Sequence, residues 1–286
     1  QQGVEIACKT WLSGGKLMVN KKTWYSHMFR TQGGDFGFPY HNPESKINEN
    51  RELSRKLFQH NGWPGAIHKF QWLLDKFAPI PDWETPSKEI IYYTCNTHKP
   101  EIDDMCREQL LKAGLPIVSV SLNKDLDFGN TRLRIDGEKG PLMMHKQMLM
   151  GLKASKADVV FLVESDVLYP PEHFSFTPDR KDVFYFDTNV WKLRWSDGHC
   201  VWTDNLQQLS GMCIYRELIT DFIEKRIEQI EREGFNRHYE PSPRQSIFKE
   251  ETDGKYSNVN YKSEKPMVCI RHDTNITASK WSVDDY

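Results

Sequence analysis

The sequence VVFLVESD (residues 159–166) is an apolar run that ends in two carboxylates, Glu164 and Asp166. A continuous apolar run of this length is typical of a strand that is buried on both faces of a sheet. In open α/β sheets, ligands bind at the carboxyl ends of the strands. We therefore expect both carboxylates to lie at a ligand site on the edge of an α/β sheet.

Strand and helix patterns alternate around this run. Apolar strands are predicted at residues 89–95, 116–120, 158–163, 183–186, 189–194 and 267–270. Amphipathic helices are predicted at residues 101–113, 142–154 and 216–233. This order predicts that residues 88–286 form one α/β domain whose sheet is covered on both faces.

The residues before this domain follow a different pattern. Residues 4–11 have helical spacing, a Gly-Gly pair follows, and residues 16–19 are predicted to form a strand. Residues 31–50 have the composition of a loop, residues 51–58 and 67–77 predict short helices, and residues 78–87 hold three prolines and predict a linker. The predicted division is a first segment at 1–40, a helical segment and linker at 41–87, and the domain at 88–286. Because the chain starts at Gln1 and not at Met, we expect a fragment of a longer protein.

Composition excludes several classes of protein. A hydrophobic fraction of 38% and an aromatic fraction of 12% in 286 residues are enough for a core, which excludes a disordered chain. The net charge is −2 and the basic residues are scattered, so no broad nucleic-acid surface is expected. No apolar run approaches the roughly 20 residues that span a bilayer, and no signal peptide is recognised, so a cytoplasmic protein is expected.

The six cysteines are dispersed without a Cys-x-x-Cys pair, which favours reduced thiols over disulfides. Cys95, His98 and Cys106 could form half of a zinc site, but no second half accompanies them. The pattern therefore does not indicate zinc.

The two carboxylates suggest a specific chemistry. Carboxylate oxygens hold hard divalent cations, and such a cation can bridge two phosphate oxygens of a nucleotide. Transfer of a sugar from a nucleoside diphosphate needs such a cation, because the departing diphosphate gains negative charge. The cofactor expected is Mn²⁺ or Mg²⁺. The alternative is that Glu164 and Asp166 only cap a turn.

The segment ESDVLYPPEHF (residues 164–174) resembles the Asp-x-Asp region of family 2-like GT-A glycosyltransferases, many of them from phages and bacteria. The resemblance continues through residues 187–215 and 268–277 and so covers most of residues 88–286. It implies a Rossmann-like GT-A fold, a mixed sheet with helices on both faces, as in nucleotide-diphospho-sugar transferases. Ser165 departs from the family, which often has His there, but both outer carboxylates are kept.

This resemblance implies a metal-dependent glycosyltransferase and assigns its site residues. The donor implied is a nucleotide sugar, a UDP-sugar first, and the acceptor stays open between a glycan, a protein and a modified DNA base. His272 would be a third metal ligand beside Glu164 and Asp166, and its alternative is a surface histidine. Whether the reaction retains or inverts the sugar configuration also stays open.

The donor side would involve four further residues. Thr94 and Asn96 stand at the end of the first predicted strand, and Lys146 and Gln147 stand near the start of a helix. The alternatives are turn chemistry for Asn96 and a solvated helix face for Lys146.

The acceptor side would involve Ser210 and Gly211, which precede a predicted helix, because glycine permits close backbone approach. Asp204 is the candidate base that would deprotonate the acceptor hydroxyl in an inverting enzyme.

Residues 3–30 resemble the C-terminal end of a different GT-A domain, as in family 2 transferases and polypeptide N-acetylgalactosaminyltransferases. The resemblance matches Glu5 to an acceptor-side carboxylate and His27 to the late metal-binding histidine. The favoured interpretation is a remnant that does not catalyse alone. The alternative is a permuted single domain in which His27 joins Glu164 and Asp166.

Two other functions are considered. A catalytically decayed carbohydrate-binding or scaffold domain is suggested by the departure at Ser165. A nucleotidyltransferase would also use carboxylates and metal at a strand end, but it would show a glycine-rich basic loop after the first strand, and residues 94–100 are not such a loop.

Overall fold

The computed structural model describes residues 2–24, 43–78, 80, 86–203, 205–235 and 257–272. The chain divides into two compact units, Gln1–Glu84 and Thr85–Tyr286. Within the described residues, no helix combines the length and the apolar character that crossing a membrane requires.

The described part of the first unit is helical. It contains α1 (Gln2–Leu12), α2 (Glu44–Gln59) and α3 (Phe70–Phe77), and one buried side chain from each helix forms its core: Leu12, Phe58 and Leu73. Helical periodicity supplies this core, since each helix turns one apolar stripe inward.

Two predictions for the first unit are wrong. Residues 16–19 form no strand, and Met18 and Val19 are 86% and 83% exposed, because no neighbouring strand in the described part of the unit pairs with them. The loop predicted through residue 50 ends earlier, since α2 begins at Glu44 directly after Pro43. The polar composition of this stretch suggested a loop, but its Glu, Lys and Arg residues are good helix formers.

The second unit is built on a seven-stranded mixed sheet. Its strands are β1 (Lys88–Thr94), β2 (Ile117–Leu122), β3 (Thr131–Ile135), β4 (Val159–Glu164), β6 (Val183–Asp187), β9 (Met212–Tyr215) and β10 (Ser257–Tyr261). A smaller four-stranded sheet contains β5 (Val167–Leu168), β7 (Val190–Arg194), β8 (Cys200–Thr203) and β11 (Met267–Arg271). The α-helices among its described residues are α4 (Pro100–Leu111), α5 (Pro141–Ala154) and α6 (Arg216–Glu233).

The strand order places β4 at the centre of the large sheet. The order is β10-β6-β9-β4-β1-β2-β3, and the small sheet follows the order β5-β11-β7-β8. Strand β1 runs parallel to β2 and β4, whereas β9 runs antiparallel to both β4 and β6. The carboxyl ends of β1, β2, β4 and β6 therefore lie along the same edge of the sheet.

Alternating side chains of the central strands fill two cores. Ile91 and Leu162 belong to the core that also contains residues of α5 and α6. Ile90 and Phe161 belong to the opposite core, which contains Leu110 of α4 and residues of the small sheet. The predicted mixed α/β sheet with helices on both faces is confirmed.

Two pairings bring distant segments to the carboxyl end of β4. In the parallel pair of β1 and β4, Tyr93 lies opposite Glu164, so the residues after β1 follow alongside the residues after β4. In the antiparallel pair of β5 and β11, Cys269 lies opposite Val167, and the backbone N–H of Ile270 donates to the carbonyl of Asp166 at 2.8 Å. The segment after β11 is therefore held beside Asp166.

Candidate metal centre

Three side chains that could bind a metal converge at this edge of the sheet. One potential ligand atom from each of His98, Asp166 and His272 lies within 4.8 Å of the other two. His272 Nε2 is 3.3 Å from Asp166 Oδ2, and the centroids of the two imidazole rings are 4.7 Å apart. The side chains are mostly buried, with exposed fractions of 7% for His98 and 2% for His272. Histidine and carboxylate groups in this arrangement fit a divalent metal ion.

Each of the three residues follows a different strand. His98 lies between β1 and α4, Asp166 lies between β4 and β5, and His272 follows β11. The three residues are far apart in sequence. The pairings of β1 with β4 and of β5 with β11 bring them together in space. The site is therefore a product of the fold and not of a local motif.

The ring of His98 is held on its Nδ1 side. Nδ1 lies 3.1 Å from Asp103 Oδ1 and 3.2 Å from the hydroxyl of Ser165, and the thiol of Cys95 also hydrogen-bonds to the ring. Burial lowers the pKa of His98, but these hydrogen bonds and the charge of Asp166 outweigh it and raise the pKa to about 10. The surroundings of His98 thus favour positive charge.

The thiol of Cys95 responds in the opposite direction. Burial raises its pKa, but hydrogen bonds with His98 and Thr97, together with the charges of His98 and Lys139, lower the pKa to about 7. The side chain of Lys139 also donates to the Thr97 hydroxyl at 2.9 Å. A chain of polar contacts therefore connects Lys139 with the candidate metal centre.

Glu164 lies at the same strand end but faces other partners. The Tyr93 hydroxyl donates to Glu164 Oε1 at 3.4 Å, and Ser210 hydrogen-bonds to the same side chain. Burial and the charge of Asp166 raise the pKa of Glu164 to about 7, against the lowering effects of Tyr93, Arg271 and Ser210. The three-residue group contains Asp166 and not Glu164. The role of Glu164 as a metal ligand stays a prediction.

The predicted donor residues after β1 make contacts within the protein. The Thr94 hydroxyl accepts from the backbone N–H of Asn96 at 3.1 Å. Asn96 adopts a positive φ of 56°, and its side-chain amide donates to the Ser121 hydroxyl at 2.9 Å and to the Leu122 carbonyl at 2.8 Å. Asn96 thus ties the end of β1 to the end of β2, which is the turn role considered from the sequence.

The two predicted donor residues on α5 are also engaged. The side-chain amide of Gln147 is buried and donates to the carbonyls of Thr94 and Val120, at 2.8 and 3.2 Å. Lys146 pairs with Glu231 of α6 at 2.6 Å. Both side chains therefore have polar partners within the protein. A role in donor binding stays a prediction for each of them.

Ser210 and Gly211 belong to a short 3₁₀ turn, Leu209–Gly211, that leads into β9. The four residues of β9 lie between this turn and the helix α6 that follows it. The acceptor-side role of Ser210 and Gly211 stays a prediction. A Cβ atom at Gly211 would lie 2.5 Å from the carbonyl oxygen of Asp187. The close approach that requires glycine is therefore to the backbone of β6, while the hydroxyl of Ser210 reaches Glu164.

The remaining predicted residues belong to the first unit or lie outside the described residues. Glu5 forms an ion pair with Lys9, one turn further along α1, at 2.6 Å. His27 and Asp204 are outside the described residues. Between the two candidate late histidines, the structure places His272 beside Asp166.

Sequence reasoning missed His98 as part of this centre. The Cys95, His98 and Cys106 pattern was considered only as half of a zinc site. The signal that could have identified His98 is its position three residues beyond a buried strand, at the edge where ligands bind.

Comparisons with known proteins give structural neighbours only. No family model matches the chain, and no curated protein matches it. The chain is similar to the inositol-1-phosphate CTP transferase from T. maritima, with 13% identity, 66% of this chain and 91% of that chain covered, and a TM-score of 0.38. It is similar to S. aureus TarS 1-349, with 12% identity, coverage of 64% and 60%, and a TM-score of 0.40.

A third neighbour is glucosyl-3-phosphoglycerate synthase from Mycobacterium tuberculosis, with 11% identity, coverage of 64% and 76%, and a TM-score of 0.34. All three scores are low. The fold assignment therefore rests on the strand order given above and not on these neighbours.

Proposed function

We propose that this chain is a glycosyltransferase that moves a sugar from a nucleotide-sugar donor, with a divalent metal ion bound at the carboxyl end of β4. The observation that carries the proposal is the buried contact of 3.3 Å between Asp166 Oδ2 and His272 Nε2, beside His98. This contact lies at the edge of a mixed α/β sheet where nucleotide ligands bind.

The charge of the site suits a diphosphate. A bound ion would displace one proton from His98, so both imidazoles would be neutral. Two neutral imidazoles and one carboxylate carry one negative charge, and with a divalent cation the site would have a net charge of about +1. Three protein ligands leave coordination positions open for phosphate oxygens. The chemistry that a bound cation supplies is neutralisation of the charge that develops on the departing diphosphate.

Other residues of the chain hold the site in shape. Tyr93 and Ser210 orient Glu164 at the strand end, and Gln147 joins the ends of β1 and β2. Asp204 remains the proposed base of an inverting reaction. We propose a UDP-sugar as the donor, and the acceptor stays open between a glycan, a protein and a modified DNA base.

The proposal is tested with a panel of UDP-, GDP- and CMP-sugars. Donor hydrolysis and thermal shift are measured with Mn²⁺, with Mg²⁺ and after EDTA treatment. Asp166→Asn keeps the size of the side chain but weakens the metal ligand, so we expect metal-dependent nucleotide affinity to fall at least about tenfold. Asp182→Asn is the matched control, because Asp182 pairs with Arg180 just before β6, at the opposite edge of the sheet.

The possible results separate the functions. Metal-dependent hydrolysis that Asp166→Asn impairs and Asp182→Asn does not would support the proposal. Sugar or nucleotide binding without any turnover would favour a binding domain. Formation of a nucleotide sugar from a nucleoside triphosphate and a sugar phosphate would indicate a nucleotidyltransferase. Absence of binding to every donor would refute the proposal.

A further inference from the structure

We infer that His98 is a metal ligand positioned by Asp103, and that the resulting site of two histidines and one carboxylate selects transition-metal ions over Mg²⁺. The inference rests on the proposed function only in assigning the metal a role in sugar transfer. Metal binding itself can be measured without any sugar donor.

The geometry permits one ion to touch all three side chains. Ligand atoms that each lie about 2.0–2.2 Å from one ion are at most about 4.4 Å apart. The potential ligand atoms of His98, Asp166 and His272 lie within 4.8 Å of one another. Side-chain movements of a few tenths of an ångström, well within rotamer freedom, would therefore complete the coordination.

Asp103 fixes which ring nitrogen of His98 would bind the metal. Its Oδ1 atom lies 3.1 Å from His98 Nδ1, and its other oxygen lies 3.3 Å from the guanidinium of Arg107. A carboxylate on one ring nitrogen keeps the proton there and leaves the lone pair of the other nitrogen for a metal. The inference therefore assigns Nε2 of His98 as the atom that would bind the cation.

Asp103 is itself held in place by the fold. It lies in the first turn of α4 and is buried, and its partner Arg107 donates to the Tyr92 hydroxyl at 3.2 Å. Tyr92 belongs to β1, so the link from Asp103 through Arg107 joins α4 to the central sheet. The ring of His98 is therefore anchored by regular structure and not by its loop alone.

The type of ligand decides which metal is preferred. Imidazole nitrogens suit Zn²⁺, Co²⁺, Ni²⁺ and Fe²⁺, whereas Mg²⁺ prefers oxygen ligands in an octahedron and retains several waters. A site with two imidazoles offers Mg²⁺ only one oxygen from a protein side chain. We therefore expect the site to bind Co²⁺ or Zn²⁺ at least about 100-fold more tightly than Mg²⁺.

The test measures metal binding in the full chain without nucleotide. The protein is stripped with EDTA, dialysed, and titrated with Co²⁺, Zn²⁺, Mn²⁺ and Mg²⁺ by calorimetry, and Co²⁺ binding is also followed by visible absorption. We expect one ion per chain. His98→Gln should weaken Co²⁺ binding at least about 100-fold, and Asp103→Asn should weaken it about 10- to 100-fold while keeping the stoichiometry.

Matched controls separate ligation from general damage. His199→Gln makes the same change at an exposed histidine between β7 and β8. Asp104→Asn makes the same change on the adjacent residue of α4, whose side chain is 79% exposed. Both should bind Co²⁺ as the unaltered chain does. Circular dichroism checks each variant, and His98→Asn replaces His98→Gln if the latter does not fold.

Equal Co²⁺ affinity in the unaltered chain and the His98 variant would overturn the inference, and so would equal affinity for Mg²⁺ and Co²⁺. If the metal binds as expected but no donor is hydrolysed, the proposed function fails and the inference stands. If a donor is hydrolysed with metal while the His98 variant keeps full metal affinity, the inference fails and the proposed function stands.

Discussion

Asp187 anchors the segment that carries His272, and replacing Asp187 should lower the free energy of unfolding. Asp187 is the last residue of β6 and is fully buried. Its Oδ2 atom lies 2.8 Å from His173 Nδ1, and its Oδ1 atom accepts from the backbone N–H groups of Asn189 at 3.0 Å and Ser263 at 3.1 Å. Ser263 precedes β11, so Asp187 connects the large sheet to the strand that ends at the metal centre.

The structure gives the size of the effect. Asp187→Ala leaves three donors without this acceptor, and each buried unsatisfied donor costs about 1–3 kcal/mol. Partial relaxation and water entry reduce the sum, so we expect the free energy of unfolding to fall by about 3–5 kcal/mol. That loss is a large part of the roughly 5–15 kcal/mol that stabilises a typical protein.

Asp187→Asn should be milder. The amide oxygen can still accept from both backbone N–H groups. The amide nitrogen can donate to His173 Nδ1 only if the imidazole proton moves to Nε2, a buried atom with no hydrogen-bond partner among the described residues. We expect the free energy of unfolding to fall by about 2–3 kcal/mol, because a charge is removed and one buried N–H is left unsatisfied.

Urea unfolding followed by circular dichroism measures both variants. Asp182→Ala is the control, because Asp182 lies just before the same strand and forms a half-exposed ion pair with Arg180, which is worth about 0–1 kcal/mol. The reasoning is refuted if Asp187→Ala costs less than about 1 kcal/mol, or if the Ala and Asn variants lose the same stability. Metal affinity measured in Asp187→Asn should fall with stability if the anchor also positions His272.

Two further predictions concern packing and domain structure. Gly151→Ala should destabilise the chain by about 1–3 kcal/mol in urea unfolding, because the added Cβ would lie 2.6 Å from Ile91 Cγ2, even though alanine favours helices. Gly3→Ala is the control, and it should be neutral or stabilising because no atom lies within 4 Å of its added Cβ. A greater loss of stability in Gly3→Ala than in Gly151→Ala would contradict this packing argument. A chain that begins at Ser87 should be soluble and unfold cooperatively on heating, because the second unit has its own cores, and an insoluble product would show that the first unit is needed.

The central elements were predictable because they are buried along their whole length. Residues 159–163 were predicted from their apolar run, and β4 comprises Val159–Glu164. Helices α5 and α6 were found within a residue of their observed bounds, because helices of this length repeat the apolar period several times.

Short and edge strands were not predictable in this way. Strand β5 has two residues, β3 has half-buried alternating side chains at the edge of its sheet, and β10 has no buried side chain. Such strands are defined by their partners and not by their own composition. Strand β7 was predicted, but its place in the small sheet depends on pairing with β11, which no local pattern shows.

The residues of the candidate site likewise differ in whether a local sequence pattern predicts them. The carboxylates after β4 were recognisable because they interrupt an apolar run, whereas the place of His98 depends on the parallel pairing of β1 with β4. Asn96 and Gln147 were attractive donor residues by type and position. The structure shows that their hydrogen bonds join β1 to β2, a role that composition alone does not reveal, and their roles in donor binding stay predictions.

The meeting of Asp166 with His272 depends on a very short strand pair. Strand β5 has only two residues, yet its pairing with β11 sets which residue after β11 lies beside Asp166. A shift of one residue in a strand turns every side chain to the opposite face. The register is fixed by the buried side chains of Val167 and Cys269 and by the bond from Ile270 N–H to the Asp166 carbonyl. The packing of the small sheet therefore determines whether the three candidate ligands can share one ion.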